Sequence, residues 1–443
     1  MSLVMPTRIL IVGSGAREHA LAWKLAGEPG VNLVKVAPGS AGIATEDRVR
    51  ALPGINPLEP AEIVSAAREL AAELVVVGPE GPLAVGVVDA LEAAGITAFG
   101  PTAAAARLET SKSFCHEVAA SAGVPMARAR SFSGDELGAA MGWLRELTDD
   151  GLNAVLKVDG LAAGKGVVVT DSLDQALELL PGFLNGRPDD APALVVEERL
   201  RGREATVIAI CDGERAIALP AARDHKRLCD ADEGPNTGGM GAYSPLPDLD
   251  DTEVEQVLET VHRPILAEMR RRGSPFRGFL YAGLMLTAAG PVLLETNVRL
   301  GDPEAQALLP RLAAPIGPLL LAAARGRLPA NLPATIPTVP GAAVAIVLAA
   351  KGYPGDPQRG DPIDGLDAAR DTGALLFHAG TVARPQGGWG TNGGRVVTVV
   401  GRGRDLGSAR AGAERAADAI SWDGLQRRHD IAAELPLPVG AAS

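Results

Sequence analysis

Cysteine is scarce: 443 residues carry only Cys115, Cys211 and Cys229. An odd number without CxxC spacing excludes a disulfide framework and a cysteine-rich zinc site, and fits a reducing cytoplasm. Aromatic residues make up 3%, so the cores must be built from Ala, Val, Leu and Ile. Positive charge is also short. The formal net charge of −12 argues against a broad footprint for nucleic acid, though it leaves room for a local basic pocket around one small phosphate. No apolar run approaches the ~18 residues of a membrane span. The first strand, RILIVG, begins at Arg8 without the charged, apolar and small-residue zones of a signal peptide. No segment repeats at a fixed period.

What is present suits a soluble multidomain chain. Hydrophobic residues are 47% and charged residues 22%, ordinary for globular proteins. The length suggests about three domains of ~150 residues. Over residues 8–100, the runs RILIVG, VNLVKVAPG, ELVVVGPEG and ITAFGP alternate with the helical patterns HALAWKLA and PAEIVSAARELAA. That alternation predicts a doubly wound parallel sheet with its site at the carboxyl ends of the strands. Thr102 is placed to cap one helix through Leu108, Phe114, Cys115 and Val118, ending near Gly123. A second α/β pattern covers about 125–190. A third block starts at ALVVEERL and holds a long amphipathic helix (251–272) and a hairpin of GFLYAGLML and PVLLETN across TAAG. LPANLPATIPTVP resembles a linker, and the remainder reads as a small α+β domain.

Six stretches carry chemistry. In GSGAREH (13–19) the glycines Gly13 and Gly15, with Ser14, lie between a strand and a helix, where an anion fits a helix N-terminus. A dinucleotide fold would need an acid at the end of the second strand, but that strand ends VAPGSAG. A sugar phosphate held by backbone amides and Arg17 fits better; the alternative is a tight turn that binds nothing. GPEGPL puts Glu80 at the end of the third predicted strand, to grip hydroxyls or an amine, or simply to sit in a solvated turn. VLKVDGLAAGKGVVVT (155–170) has Gly and Lys but is not a Walker loop. Its glycine spacing is one short, Lys165 is followed by Gly166 instead of a hydroxyl residue, and both flanks are strands. It reads as a Gly-rich lid over a nucleotide, with Lys157 on the strand and Gly164, Lys165 and Gly166 in the lid, or else as a plain hairpin.

VVEERLRGRE (195–204) runs a buried strand into Glu197 and Glu198, with Glu204 beyond; these acids suit an adenine amino group and ribose hydroxyls, or are edge charges. RDHKRLCDADEGPNTGGMGAYSP (223–245) is polar and Gly-rich with little core to bury, so its order is expected to depend on a ligand. Asp224, His225, Lys226 and Arg227 offer both signs of charge in one turn. LLETNVRLGDPE (293–304) places Glu295 and Asn297 two apart on a strand, facing one side. That makes a compact hard-cation site of the magnesium type, with Arg299 expected on the same face for a phosphate or carboxylate. The alternative is a charged strand end.

Taken in order, GSGAREHALAWKL, GPEGPLAVGVVDAL, FGPT, KVDGLAAGKGV, DHKRLCDADEGPNTGGMGAYSP, GFLYAGLM and LETNVRLGDPE strongly resemble the phosphoribosylamine–glycine ligases (glycinamide ribonucleotide synthetases), members of the ATP-grasp superfamily. The likeness spans essentially the whole chain, including GYPG, FHAGT and TNGGRV. The resemblance implies an α/β and α+β multidomain protein. A pre-ATP-grasp doubly wound domain would occupy 1–105, the ATP-grasp lobes 106–192 and 193–328, and a small α+β domain 329–443. It implies ATP-dependent ligation of glycine to 5-phosphoribosylamine through glycyl phosphate, with ADP and phosphate released.

By role, the resemblance puts adenine near Glu197, Glu198 and Leu200 and ribose near Glu204, with the phosphates at Lys112, Lys157, Gly164, Lys165 and Gly166. Glu295 and Asn297 match the magnesium or manganese ligands. The phosphoribosylamine would lie by Gly13, Ser14, Gly15, Arg17, Glu18, Pro38, Gly39 and Glu80, with Asn236 and Asp302 nearby. Asp224, Lys226 and Arg299 would surround the reacting groups. A cytoplasmic monomer working on small molecules, without nucleic acid or membrane, is expected. Departures are small: Ala16 stands for a usual Gly, Val158 for Ala, Leu300 for an aromatic, and SWDGLQRRHDIA lacks a common tyrosine. Rival readings are a purine- or biotin-type carboxylase using bicarbonate, a non-catalytic nucleotide-binding regulator, and a dinucleotide oxidoreductase.

Overall fold

The computed structural model describes residues 3–161, 166–188 and 191–433. The N-terminal runs form the expected parallel sheet: β1 (Arg8–Gly13), β2 (Leu33–Pro38), β3 (Val49–Ala51), β4 (Leu74–Val77) and β5 (Ala98–Phe99), in the order β3-β2-β1-β4-β5. Helices cover both faces, so β1 and β4 are apolar on both sides rather than alternating. The short edge strand β3 is an addition to the sequence reading; three residues are too few for a periodic signal. The order reverses between β1 and β4, and Gly13, Pro38 and Gly78 end neighbouring strands around that switch point.

The helix expected from Thr102 to Gly123 is two helices, Ala103–Thr110 and Lys112–Ala122. Ser111 lies between them in an extended conformation and caps the second by accepting from the Phe114 amide. Gly123 ends that helix with φ +68°, as a left-handed cap should. A four-stranded sheet follows: β6 (Ala129–Phe132), β7 (Ala154–Val158), β8 (Val167–Val169) and β9 (Leu194–Glu198), ordered β6-β9-β7-β8. β7 and β8 are antiparallel, with Lys157 opposite Val167, so the Gly-rich stretch joins two paired strands as its flanks predicted. Gly164 and Lys165 fall outside the described residues.

The second lobe is built on β10 (Arg203–Asp212) and β11 (Ala216–Ala218). After them, β12 (Arg223–Asp224), β13 (Arg227–Cys229), β14 (Glu233–Asn236) and β15 (Gly241–Ser244) precede the predicted hairpin, β16 (Arg277–Thr287) and β17 (Gly290–Asn297). The sheet order is β11-β10-β16-β17. The helix expected over 251–272 is capped by Asp250 and Glu253 but passes through a π turn at Leu258–His262, just before Pro264. Proline supplies no amide to the helical ladder, so the turn there widens.

Two expectations about loops are corrected. The 223–245 stretch is not left without a framework: β12 and β15 join the C-terminal sheet, ordered β12-β15-β18-β23-β20. That sheet comprises β18 (Ala342–Ala349), β20 (Leu375–His378) and β23 (Arg395–Gly403), while β19 (Pro362–Ile363), β21 (Thr381–Ala383) and β22 (Trp389–Thr391) form a small one beside it. Gly241–Ser244 is fully buried against β18, which gives this glycine-rich segment the core it lacks locally. The Pro-rich stretch is also docked, not free: the Ala218 amide donates to Ala334, the Ile336 amide to Ala218 and the Val339 amide to Arg311.

Candidate active site

At the carboxyl end of the parallel sheet, Gly15 opens the helix Ala16–Ala26, and its amide donates to the Glu18 carboxylate at 2.8 Å. Arg17 Nε lies 2.6 Å from the same carboxylate, and Arg17 also donates to the Leu300 carbonyl at 3.2 Å. The flanking glycines make room for this buried acid. A Cβ on Gly78 would lie 2.2 Å from Glu18 Oε1, and one on Gly13 2.6 Å from its Cγ. Gly39, at φ +65°, donates to the Gly13 carbonyl at 3.0 Å and so ties the ends of β1 and β2 together beside Pro38. Ser14 is exposed at the lip. One donor expected to face a phosphate, the Gly15 amide, is thus occupied by Glu18.

Glu80 begins a short helix rather than ending a strand. It receives Arg299 at 3.1 Å, and Arg299 also pairs with the Glu109 carboxylate at 2.9 Å. Burial raises the Glu80 carboxyl, but the Arg299 and Arg17 charges outweigh it and hold Glu80 below the usual range. Glu109 is more enclosed; burial pushes it up despite Arg299. β17 ends at Asn297, so Arg299 stands beyond it, already paired with two protein carboxylates. Asp302 lies 3.0 Å from Arg395 and accepts from Gln306 at 2.7 Å.

Charged groups of both signs gather where β7 approaches β17. Lys157 on β7 reaches Glu197 on β9 at 2.7 Å and donates to the Leu294 carbonyl at 3.1 Å, while His116 Nε2 lies 2.9 Å from Glu197. Burial raises Glu197, and Lys157 and His116 together overcome it. Lys112 donates to the Gly160 carbonyl at 2.9 Å, and its own amide is held by Asp159 at 2.5 Å. Gly166 is buried, its carbonyl accepting from the Val158 amide at 2.8 Å. Glu198 accepts from the Arg128 amide at 3.0 Å, and Leu200 is half-buried beyond it.

Lys226, just before β13, lies 2.8 Å from Glu204 and 3.6 Å from Glu295. Protein surrounds this cluster, yet solvent still reaches it: the Lys226 and Glu295 side chains are 35% and 38% exposed. Burial would lower Lys226, but Glu204, Glu295 and Asp224 hold it well above the ordinary lysine value. Lys226, with Lys157 and Lys112 behind it, keeps Glu295 below the usual range. Burial pushes the Asp224 carboxyl up to about 8, with Lys226 pulling the other way. Asn236 on β14 is half-buried opposite Arg227.

Among the described residues no group of three or more His, Cys, Asp or Glu side chains is placed to hold a metal unaided. Glu295 and Asn297 nonetheless fit a hard cation of the magnesium kind, which takes one or two protein oxygens and completes its shell with phosphate and water. Glu295 is held below the usual carboxylate range, Asn297 follows it by two residues on β17, and solvent reaches the Glu295 side chain.

Several participants escaped the sequence reading. Glu109 and Asp159 act on partners 190 and 47 residues away, Arg299 and the Lys112 amide, and Arg395 on Asp302. No spacing rule joins such positions. Tyr281 and Glu304 were within quoted motifs, but the Thr206 hydroxyl within hydrogen-bond distance of both, at 3.0 and 3.3 Å, was not.

Comparison with known proteins decides the family. The sequence matches the phosphoribosylglycinamide synthetase N domain over residues 7–109, its ATP-grasp (A) domain over 110–305 and its C domain over 343–434. A phosphoribosylamine–glycine ligase of Streptomyces coelicolor is 47% identical over 431 residues, covering 96% of this chain and 99% of that one. The chain belongs to the phosphoribosylglycinamide synthetase family. The crystal structure of phosphoribosylamine–glycine ligase from Thermotoga maritima superposes with a TM-score of 0.78 at 32% identity, covering 96% of this chain and 100% of that one. A biotin carboxylase from Campylobacter jejuni, at 16% identity and a TM-score of 0.69 over 96% of this chain and 94% of its own, shares the fold alone. As a member of that family, the chain is an ATP-grasp ligase of three-domain architecture. No helix among the described residues is long and apolar enough to cross a membrane.

Proposed function

We propose that this site joins glycine to 5-phosphoribosylamine, giving glycinamide ribonucleotide, ADP and phosphate, the second step of de novo purine synthesis. A glycine carboxylate oxygen attacks the γ-phosphorus of ATP, ADP leaves, and glycyl phosphate forms. The amine of phosphoribosylamine then attacks the acyl carbon and phosphate departs, carrying the oxygen that glycine supplied. The observation that carries this reading is the cluster of Glu204 on β10, Asp224 on β12, Lys226 and Glu295 on β17. It offers both signs of charge for a zwitterionic amino acid beside a polyphosphate.

Lys112 and Lys157 stand where ATP phosphates lie, joined by Lys165 from the lid. Their charge offsets that of the moving phosphoryl group, which is an electrostatic and positioning task. Glu295 and Asn297 would hold the divalent cation, magnesium or manganese, which when bound would further neutralise the phosphate oxygens. Glu197, Glu198 and Leu200 border the adenine, and Glu204 the ribose. Closure of the Gly-rich stretch excludes water from the acyl phosphate, which water would otherwise hydrolyse. Arg17, Glu18 and Glu80, with the Gly13, Ser14, Gly15, Pro38 and Gly39 backbone, border the phosphoribosylamine. Asp224, Lys226, Asn236, Arg299 and Asp302 surround the reacting groups. The enzyme acts as a cytoplasmic monomer.

An ADP-release assay with ATP, magnesium, glycine and freshly made phosphoribosylamine tests the reading. Turnover should need all four, and Glu295→Ala should abolish it without unfolding the protein. ADP release that needs bicarbonate instead of glycine would assign the site to a carboxylase.

A further inference from the structure

The hairpin of β13 and β14 begins one residue after Lys226 and has little to hold it. Its strands pair only at Arg227–Asn236 and Cys229–Glu233, with a register shift between, and residues 229–235 are exposed. An isolated two-stranded hairpin is marginal in water. This one also carries two consecutive non-glycine residues in the left-handed region, Ala231 at φ 60° and Asp232 at φ 54°. Such residues persist only where their surroundings over-determine them, and they cluster at functional sites.

What determines them comes from the far end of the chain. Arg428 has a completely buried side chain. Its NH1 donates to Asp232 at 2.7 Å and to the Arg227 carbonyl at 3.2 Å. Its Nε and NH2 form a fork on Asp430 at 2.7 and 2.6 Å. Asp430 in turn accepts from the Ala231 amide at 2.9 Å, and Asp230 from the His429 amide at 2.7 Å. Arg428 therefore grips both the strained tip and the peptide unit next to Lys226. Thr237 holds the neighbouring Lys226 carbonyl through its amide and its hydroxyl, at 2.8 and 2.9 Å.

We infer that Arg428 is a positioning residue for the ligation: it locks the 227–236 hairpin so that Lys226 keeps its ammonium between Glu204 and Glu295. The inference rests on the role given to Lys226 under the proposed function. A planar, five-donor guanidinium is needed because three acceptors are served at once, which a lysine ammonium on a flexible stem does not reproduce.

The test compares full-length wild type with Arg428→Lys, Asp232→Asn and the double variant. Asp232→Asn alters an exposed side chain and keeps a residue that tolerates the left-handed region, so it probes the contact with little risk to folding. Arg428→Lys should lower kcat tenfold or more and Asp232→Asn threefold or more, with the ATP KM within twofold of wild type. The double variant should be no worse than Arg428→Lys by more than twofold, because both changes break one linkage. Hydrogen exchange without substrates should speed up in the hairpin and stay unchanged in β16 and β17. Single variants with wild-type kcat, independent multiplicative losses, unchanged hairpin exchange, or exchange that rises throughout the chain would each overturn the inference. The exchange readout stands whether or not wild type ligates glycine, so failure of the proposed function is told apart from failure of this proposal.

Discussion

Replacing Glu197 by Gln probes the ion pair on which Lys157 depends. Glu197 is 2% exposed and the Lys157 side chain 9%, and they meet at 2.7 Å. Gln keeps the volume and an acceptor for His116, but leaves the ammonium with only the Leu294 carbonyl as a partner. Stranding one charge of a buried pair costs about 3–5 kcal/mol, whereas removing both charges is often neutral. Glu197→Gln should therefore lose about that much stability, and Lys157→Met/Glu197→Gln should recover to within about 1 kcal/mol of wild type. Trp143 reports locally, since its Nε1 donates to the Val196 carbonyl at 3.0 Å. Urea unfolding would follow its fluorescence in a background where Trp23, Trp389 and Trp422 are Phe. The double variant, though stable, should turn over at least a hundredfold more slowly, roughly 2.7 kcal/mol in barrier, because a phosphate-facing lysine is gone. A single variant costing under about 1 kcal/mol, far below the range for a stranded buried charge, would refute the buried pair. So would a double variant as unstable as the single. Retained turnover in the double would refute the role of Lys157.

Three further outcomes follow from packing and burial. Gly78→Ala puts a methyl 2.2 Å from Glu18 Oε1; it should displace the cap on Gly15, cost about 1–2 kcal/mol, and raise the phosphoribosylamine KM while leaving that of ATP unchanged, as steady-state kinetics would show. Burial lowers His225 and His262 to about 4 and His378 to about 3. With unfolded values near 6.5, the unfolded chain binds the extra protons. The contribution is therefore full above about pH 6.5 and is lost as pH falls toward 4, by up to about 1.4 kcal/mol per pH unit per histidine. Stability measured from pH 7 to 4 should show that slope, and His262→Gln should flatten it by one histidine's share; an unchanged slope would contradict the buried neutral ring. Cys229 is exposed while Cys115 and Cys211 are buried, and burial pushes both of those thiols up. A thiol reagent should therefore label one cysteine quickly in the native protein and the other two only after denaturation; two fast thiols would contradict that burial.

The parallel sheet was legible because its strands are covered on both faces and so appear as unbroken runs such as LVVV. The strand on each side of the Gly-rich stretch was legible from its flanks, since Lys157 and Val167 face each other across a strand pair. That Glu295 and Asn297 share a strand was legible from the apolar run before them. What stayed hidden depends on distant partners. Gly241–Ser244 reads as loop because its pairing strand begins at Ala342. The glycines of GSG suggested an anion site, yet Gly13, with Gly78 after β4, makes way for the side chain of Glu18. Glu109 carries no local pattern; only the fold brings it to Arg299.

The central claim is that glycine's carboxylate is activated by phosphorylation before the amine attacks. Glycine labelled with 18O in both carboxylate oxygens should yield inorganic phosphate carrying one 18O per turnover, with the other retained in the glycinamide product. Unlabelled phosphate formed at the same rate as the product would contradict an acyl phosphate and, with it, this account of the site.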